Sequence, residues 1–434
     1  MASVRARLAV REPWDSAGLS RPQLLIVSRP APASIAISGS RQRLSSILTA
    51  ARGQFDVTLA AIASASDAPQ LSEQMAPLCD RLILLDPERH SLPRLLRRSL
   101  ESLVAGPASR SFVLGEPDLS PRRSARLLSS TACDCVLVEH WPDLYCGQIT
   151  GGEIPCVLDV HRPLWRTCEP DRRGSRWIPA LPAGRNLRDL RRREEHTWSE
   201  FDALIASNRP DLAYFRQTVP RFRRLFYVPR NIELKRWDFC WLPARPARVV
   251  FFGGLDARYN AAAALRCARR ILPKVWERRP DTELWIVGYA PPPSLLRLAR
   301  ESRIRVTGYL SEIRLHLRTM HCLLCPWTGA YGPRTSLLEA MALGLPVVAT
   351  PEAAGGLDLA PGAGLLLGRS DEELAARVLD LLDDGAFARL QSVLARRQIE
   401  RLHSLGNPYI HLAAGLRDLV EERRHTRLEL AESA

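Results

Sequence analysis

The chain has 434 residues, 46% of them hydrophobic and 25% charged, which fits a soluble globular protein with room for two domains and two sizeable cores. Its net charge of +14, carried mostly by arginine, points to an anionic partner such as a nucleoside diphosphate, a nucleic acid or a membrane surface, although a GC-rich genome gives the same bias. The ten cysteines lack the spacing of a disulfide framework and sit mostly in apolar runs, as in a reduced cytoplasmic protein, and no stretch is long and apolar enough to span a bilayer.

Residues 1–20 are arginine-rich without an apolar core and read as a disordered tail with no secretion signal. Residues 23–28 form an apolar run that predicts a strand buried on both faces. A loop bearing Gly39, Arg41 and Arg43 follows, then a helix to about residue 52 and a second strand over 56–62, which makes a βαβ unit. Strands are expected over 81–85, 133–139 and 156–161, with mostly helical, basic sequence over 87–130, broken by Pro107 and Pro121. Ligands of open α/β sheets bind outside the carboxyl ends of the strands. His161, and behind it His140 and Glu139, are therefore candidates; a lone histidine is more often structural, but the strand-end position favours contact with a ligand.

Residues 185–201 predict a highly charged helix with Trp198 and Phe201 on its apolar side. Glu194 and Glu195 dilute its charge, which favours a solvated helix with internal ion pairs over a membrane-surface helix. A short strand is expected over 202–207 and a proline-containing linker over 242–246. From residue 248 the logic repeats: strand and glycine turn (248–254), helix (260–278), strand (283–288), helix (295–300), strand (304–307), helix (311–318) and an apolar run over 322–326. Cys322 and Cys325 have CxxC spacing, but within a strand and without a second pair, which argues against a metal or redox role.

The most informative stretch is 325–351, which reads as strand, glycine loop, helix, tight turn and strand. Thr328–Thr335 is the loop, with Gly329, Gly332 and Pro333; a short helix over 336–343 stops at Gly344, with Pro346 beyond, and residues 347–349 are a buried strand. A helix N-terminus behind a glycine loop offers N–H groups and a positive dipole end to an anion. Arg334 is placed to add a charge-assisted bond to a phosphate, and Glu339, one turn on, to accept hydrogen bonds from sugar hydroxyls. The same pattern also fits an ordinary α/β junction with a surface carboxylate at Glu339. Amphipathic helices over 372–382 and 386–405 and a charged helix over 408–432 close the chain.

The run Leu337-Leu338-Glu339-Ala340-Met341-Ala342-Leu343-Gly344-Leu345-Pro346-Val347-Val348-Ala349 resembles the LLEAMAxGxPVVA signature of the retaining glycosyltransferases of family four. Residues 158–161 resemble their DxH strand end, residues 227–232 their interdomain hinge, and residues 250–288 the pattern of bacterial polysaccharide-cluster sugar transferases. The resemblance implies the α/β fold class GT-B, with two Rossmann-like domains around a cleft. Here they are expected over residues 21–235 and 243–405, with the helix 408–432 packing back on the first. It implies transfer of a sugar from a nucleotide-diphosphate donor to a saccharide or lipid-linked acceptor with retention, in cell-surface polysaccharide assembly, assisted by the leaving diphosphate rather than by a protein nucleophile.

The donor-site residues implied are Glu339 for the ribose, Gly332, Arg334, Leu338, Gly253, Gly254 and Gly39 around the diphosphate, with Arg41 assisting Gly39, and His161 for the transferred sugar. Arg258 stands in for a basic residue whose usual position Gly254 holds. No cofactor and no metal are implied; nucleic acid is not expected as a partner, and peripheral contact with an anionic membrane from the cytoplasmic side is. Two positions depart from the pattern: Tyr331 where a first glutamate is frequent, and Ser336 where related enzymes place a lysine. The competing reading is a degenerate GT-B protein that binds a nucleotide or a partner without catalysis.

Overall fold

The computed structural model describes residues 21–30, 39–86, 121–139, 153–161, 163–167, 183–218, 224–329, 334–403 and 407–432. The tail 1–20, the loop residues Tyr331 and Gly332, His140 and most of the basic stretch 87–130 lie outside the described residues; Gly39 opens a helix.

Seven parallel strands form the first sheet: β1 (Gln23–Ser28), β2 (Asp56–Ile62), β3 (Arg81–Leu85), β4 (Cys135–Glu139), β5 (Cys156–Val160), β6 (Ala203–Ala206) and β7 (Arg224–Tyr227), in the order β3-β2-β1-β4-β5-β6-β7. Parallel pairing needs a crossover between strands, and the helices that supply it cover both faces, so the strands read as continuous apolar runs. In β4 and β5 all five residues are buried. The second sheet holds β8 (Arg248–Phe252), β9 (Glu283–Val287), β10 (Ile304–Gly308), β11 (Cys322–Cys325), β12 (Val347–Ala349) and β13 (Leu365–Leu367), in the order β10-β9-β8-β11-β12-β13, again all parallel. In each sheet the order reverses beside the first strand, between β1 and β4 and between β8 and β11, which creates the crevice where such sheets bind ligands.

The sequence reading missed β7 and β13. β7 is half-buried and carries two arginine-flanked aromatics, and β13 is only three residues long, so neither shows a clear apolar run. The helix expected over 260–278 is continuous but irregular: Arg258–Arg266 and Leu272–Trp276 are joined by a π-turn over Cys267–Ile271. Pro273 has no N–H to give to the preceding turn, which accounts for the wider loop. In the hinge, Asn231 does not use an unusual backbone. Among the described residues, Ala290 and Asp358 are the non-glycine residues with positive φ. Asn231 is instead buried, and its side-chain amide donates to Ser46 Oγ at 3.0 Å, tying the hinge to the first helix Gly39–Ala51.

The last helix, Asn407–Glu432, returns to the first sheet. Tyr409, Leu412, Leu416, Leu419 and Val420 join one core with residues of β1, β2 and Gly39–Ala51. Gly415 lets it approach β7: a Cβ there would lie 2.4 Å from Phe226 Cε1. Arg423 pairs with Asp202, and Arg224 pairs with Asp418 and Glu422 from the strand side.

The helix Thr335–Leu343 is almost wholly buried and ends on Gly344 at φ 90°, with Leu345 N–H bonded back to Ala340 O at 2.9 Å in a Schellman-type stop. A side chain at Gly344 would meet the Phe239 ring at 2.4 Å as well as the left-handed backbone. Gly344→Ala is expected to cost about 1–3 kcal/mol, most of it the left-handed conformation, since Phe239 is half-exposed and can give way. Chemical denaturation of the variant against the parent measures it.

Candidate active site

The second-sheet half of the site is assembled at the carboxyl ends of β8, β11 and β12. After β8 the chain turns through Gly253 and Gly254. Gly288, at the end of β9, packs backbone to backbone against this turn; a Cβ on Gly288 would fall 1.8 Å from Gly253 O. Asn260 pins the turn from the following helix. Its amide donates to Gly254 O at 2.7 Å, and its oxygen accepts from Trp327 Nε1 at 2.9 Å. Trp327 follows β11, and its carbonyl accepts from Thr350 Oγ1 just past β12. A buried hydrogen-bonded chain thus fixes the three strand ends to one another, each polar group partnered within it.

On this base sits Arg334, immediately before the helix Thr335–Leu343 in extended conformation. Its guanidinium lies 4.6 Å from the Tyr259 ring centroid and 4.8 Å from that of Trp327. The two aromatic faces hold a cation where the helix N-terminus already favours an anion. One turn on, Glu339 is 3% exposed and its Oε1 has no hydrogen-bond partner. Burial alone pushes its carboxyl up to about 7. A carboxylate buried against its own solvation, with an acceptor oxygen unmet, is suited to hydroxyl donors from a ligand.

The first-sheet half lies at the carboxyl ends of β4 and β5. Glu139 ends β4, Asp159 lies in β5, and His161 follows β5; all three are buried. His161 Nε2 stands 3.4 Å from Asp159 Oδ2 and 3.5 Å from Glu139 Oε1. Arg43, from the helix Gly39–Ala51, is 1% exposed and grips Asp159 with both arms: Nε to Oδ2 at 2.6 Å and Nη2 to Oδ1 at 2.8 Å. Its third nitrogen, Nη1, donates to Val228 O at 2.8 Å in the hinge. Burial opposes charge on both partners, but each stabilises the other's ion: Asp159 is held well below the usual carboxylate range and Arg43 is raised above its ordinary value. Ser28, at the end of β1, donates to Glu139 Oε2 at 2.6 Å, while Glu139 Oε1 has no hydrogen-bond partner. The ligand atoms of Glu139, Asp159 and His161 lie within 4.8 Å of one another. A metal ion there would have to share Asp159 with a guanidinium that already engages both its oxygens, so the donor set does not favour one.

Of the residues singled out from sequence, Arg334, Gly253 and Gly254 are brought together through the Asn260–Trp327 chain, and Glu339 lies one turn into the helix that Arg334 precedes. Leu338 is buried and its side chain joins the second-sheet core. Arg258 is the exposed first residue of its helix. Gly39 likewise opens the helix that carries Arg43, and Gly332 falls outside the described residues. Arg41 is largely buried, and its Nη1 donates to Gln74 at 2.7 Å. Sequence reasoning missed Arg43, Asp159, Asn260, Tyr259 and Trp327. One signal was available: Asp159 is the single charge inside an otherwise apolar strand buried on both faces, and such a charge requires a buried partner.

The helix 185–201 differs from the solvated reading in one respect. Arg191 and Glu195 do form an i,i+4 pair at 2.6 Å, but Glu194 is buried and accepts from Trp165 N at 3.2 Å. Among the described residues no helix is long and apolar enough to cross a membrane.

The paired Rossmann-like sheets and their crevices define a GT-B fold, and solved structures of that class overlay the chain almost end to end. HepE of Anabaena, solved with UDP and glucose, is 14% identical with a TM-score of 0.61, covering 91% of this chain and 99% of its own. Sucrose-phosphate synthase of Thermosynechococcus elongatus is 16% identical with a TM-score of 0.63, covering 93% and 100%; TarM is 10% identical with a TM-score of 0.59, covering 92% and 99%. No curated protein matches the chain in sequence. Residues 246–384, the second sheet with its glycine turn and the helix bearing Glu339, match the family described as Glycosyl transferases group 1. The second half of the chain is thus similar to the group 1 glycosyltransferases, and the overlay of the whole chain shows the GT-B fold.

Two outcomes follow from the geometry. Folding raises the Glu339 carboxyl from 4.5 to about 7, so the native protein holds a proton that the unfolded chain releases between those values. Stability is therefore expected to fall as pH rises through that window, by up to about 3 kcal/mol in all. Denaturation curves across pH 4.5–8 should show this component in the parent and its loss in Glu339→Gln. Arg43→Met leaves Asp159 buried without its guanidinium partner, and is expected to cost about 3–5 kcal/mol. Thermal unfolding measures it, and the double variant Arg43→Met/Asp159→Leu should recover much of the loss.

Proposed function

We propose that this chain transfers a hexose-type sugar from a nucleoside-diphosphate donor to a saccharide or lipid-linked acceptor, with retention, from the cytoplasmic side in the assembly of a cell-surface polysaccharide. The observation that carries the donor assignment is Glu339: a buried carboxylate with an unmet oxygen, one helical turn behind an arginine clamped between two aromatic rings. In this reading the ribose hydroxyls donate to Glu339. The diphosphate lies at the N-terminus of Thr335–Leu343, where Arg334, Arg258, Gly332 and the backbone of Leu338 meet it. Gly253, Gly254 and, from the first domain, Gly39 let the backbone come close to the same phosphates. His161 contacts the transferred sugar.

The chemistry asked of the protein is electrostatic. As the bond from the anomeric carbon to the diphosphate breaks, negative charge grows on the leaving phosphate, and cations and N–H groups already fixed in place stabilise it without reorganising. The acceptor hydroxyl enters on the same face, gives its proton to the departing phosphate oxygen and forms the new glycosidic bond. No protein nucleophile is required. The +14 charge suits both the donor and a peripheral contact with an anionic membrane that presents a lipid-linked acceptor. HepE has been solved with UDP-glucose, which makes the uridine donor the first to test.

The test is a thermal-shift and calorimetry screen with UDP, GDP, ADP, dTDP and their sugars. One nucleotide should stabilise the protein, by about 2.7 kcal/mol at a hundredfold excess over its dissociation constant. Its affinity should fall roughly ten- to hundredfold in Glu339→Ala and should rise with pH as Glu339 ionises through about 7. Sugar release from the matching donor then shows turnover. No binding by any nucleotide at millimolar concentration would overturn the proposal in favour of a degenerate GT-B protein, with Tyr331 in the place of a glutamate and Ser336 in the place of a lysine as the evidence for it.

A further inference from the structure

Resting on the assignment of His161 to the sugar, we propose that Glu139, Asp159 and Arg43 are positioning residues for the transfer reaction. They hold the His161 imidazole in one orientation, with its proton on Nε2, so that the ring meets the sugar already aligned.

Four observations converge on this. Nε2 faces two carboxylate oxygens, 3.4 Å from Asp159 and 3.5 Å from Glu139, and neither carboxylate has a reason to be there from packing alone, since both are buried in apolar strands. Carboxylate oxygens facing a ring nitrogen accept a hydrogen and repel a lone pair, which selects the tautomer. Each carboxylate is in turn fixed from behind: Asp159 by the bidentate guanidinium of Arg43, and Glu139 by Ser28 through its other oxygen. Finally, the backbone of His161 is fixed too, its carbonyl accepting from Ser207 Oγ at 2.9 Å, so neither ring nor main chain has much freedom. The arrangement has the logic of a histidine oriented by a buried carboxylate in nucleophilic enzymes, where loss of the acid leaves the ring in the wrong tautomer. Here it is applied to orientation and not to activation of a nucleophile.

Arg43 extends the device. Its remaining nitrogen holds Val228 O, so the group that fixes Asp159 also grips the hinge segment 227–232. The orientation of the sugar contact and the path of the chain between the two sheets depend on one guanidinium.

The experiment uses the full-length protein with Glu139→Gln, His161→Ala and the double variant. Glu139→Gln keeps size and the Ser28 contact, and avoids the folding loss expected on disturbing Asp159. With the donor found by the screen, Glu139→Gln should lower kcat about tenfold or more while donor KM changes by less than about threefold. In the His161→Ala background the same substitution should have no further effect, because its action passes through the ring. Independently of turnover, ¹⁵N spectra of histidine-labelled protein should show His161 as the Nε2–H tautomer in the parent and as a mixture in Glu139→Gln. If His161→Ala keeps full activity, the sugar-contact reading fails and this inference with it. If His161→Ala is impaired but Glu139→Gln is silent, additive with it, or unchanged in tautomer, the positioning inference alone is overturned.

Discussion

Every strand in both sheets runs parallel to its neighbours, and that constraint shapes the rest of the molecule. Parallel strands need crossovers, the crossovers cover both faces, and the covered faces exclude water. Polar chemistry is then confined to the carboxyl edges, where the loops begin. The glycine turn after β8, Trp327 after β11, Thr350 after β12, Glu139 at the end of β4 and His161 after β5 all occupy such edges. The exception is Asp159, inside β5, and it is tolerated because Arg43 reaches in from a helix and meets both its oxygens. The site is where the sheet's rule against buried charge ends, or is met by exact pairing.

The same constraint explains what could be read from sequence. Apolar runs framed most strands to within a residue or two, and β1, β2, β3 and β12 were expected at the bounds they have. The helix carrying Glu339 was legible because its Gly344 stop and Pro346 punctuate it. Arg43 was not, because local pattern does not distinguish it from Arg41 two positions away; helical geometry alone turns one toward Asp159 and the other toward Gln74. Tyr259 and Trp327 look like core aromatics in a sequence, and they are largely buried. Their use as faces for Arg334 emerges only once three strand ends are brought side by side.

The two sheets are also joined by side chains that no periodicity reveals. Asp358, in left-handed backbone at φ 53°, accepts from Arg209 Nε at 3.0 Å and from Tyr227 across the junction. His403 is buried with its two ring nitrogens each 2.7 Å from a carbonyl oxygen, Arg230 O in the hinge and Leu357 O in the second sheet's loop. A residue in unfavourable backbone persists where its surroundings over-determine it, and Asp358 is fixed by a helix residue and a strand residue from the first-sheet half, Arg209 and Tyr227.

The returning helix Asn407–Glu432 makes the second sheet, in topological terms, an insertion within the first body: the chain leaves after β7 and comes back only for its last described element. This has a bearing on synthesis. When the ribosome has delivered β1 to β7, the face formed by β1, β2 and Gly39–Ala51 still lacks Leu412, Leu416, Leu419 and Val420, which are its cover. The second body, contiguous in the chain, has its own core and can close first. The half of the molecule that is translated earliest therefore gains part of its apolar cover only from the last described helix.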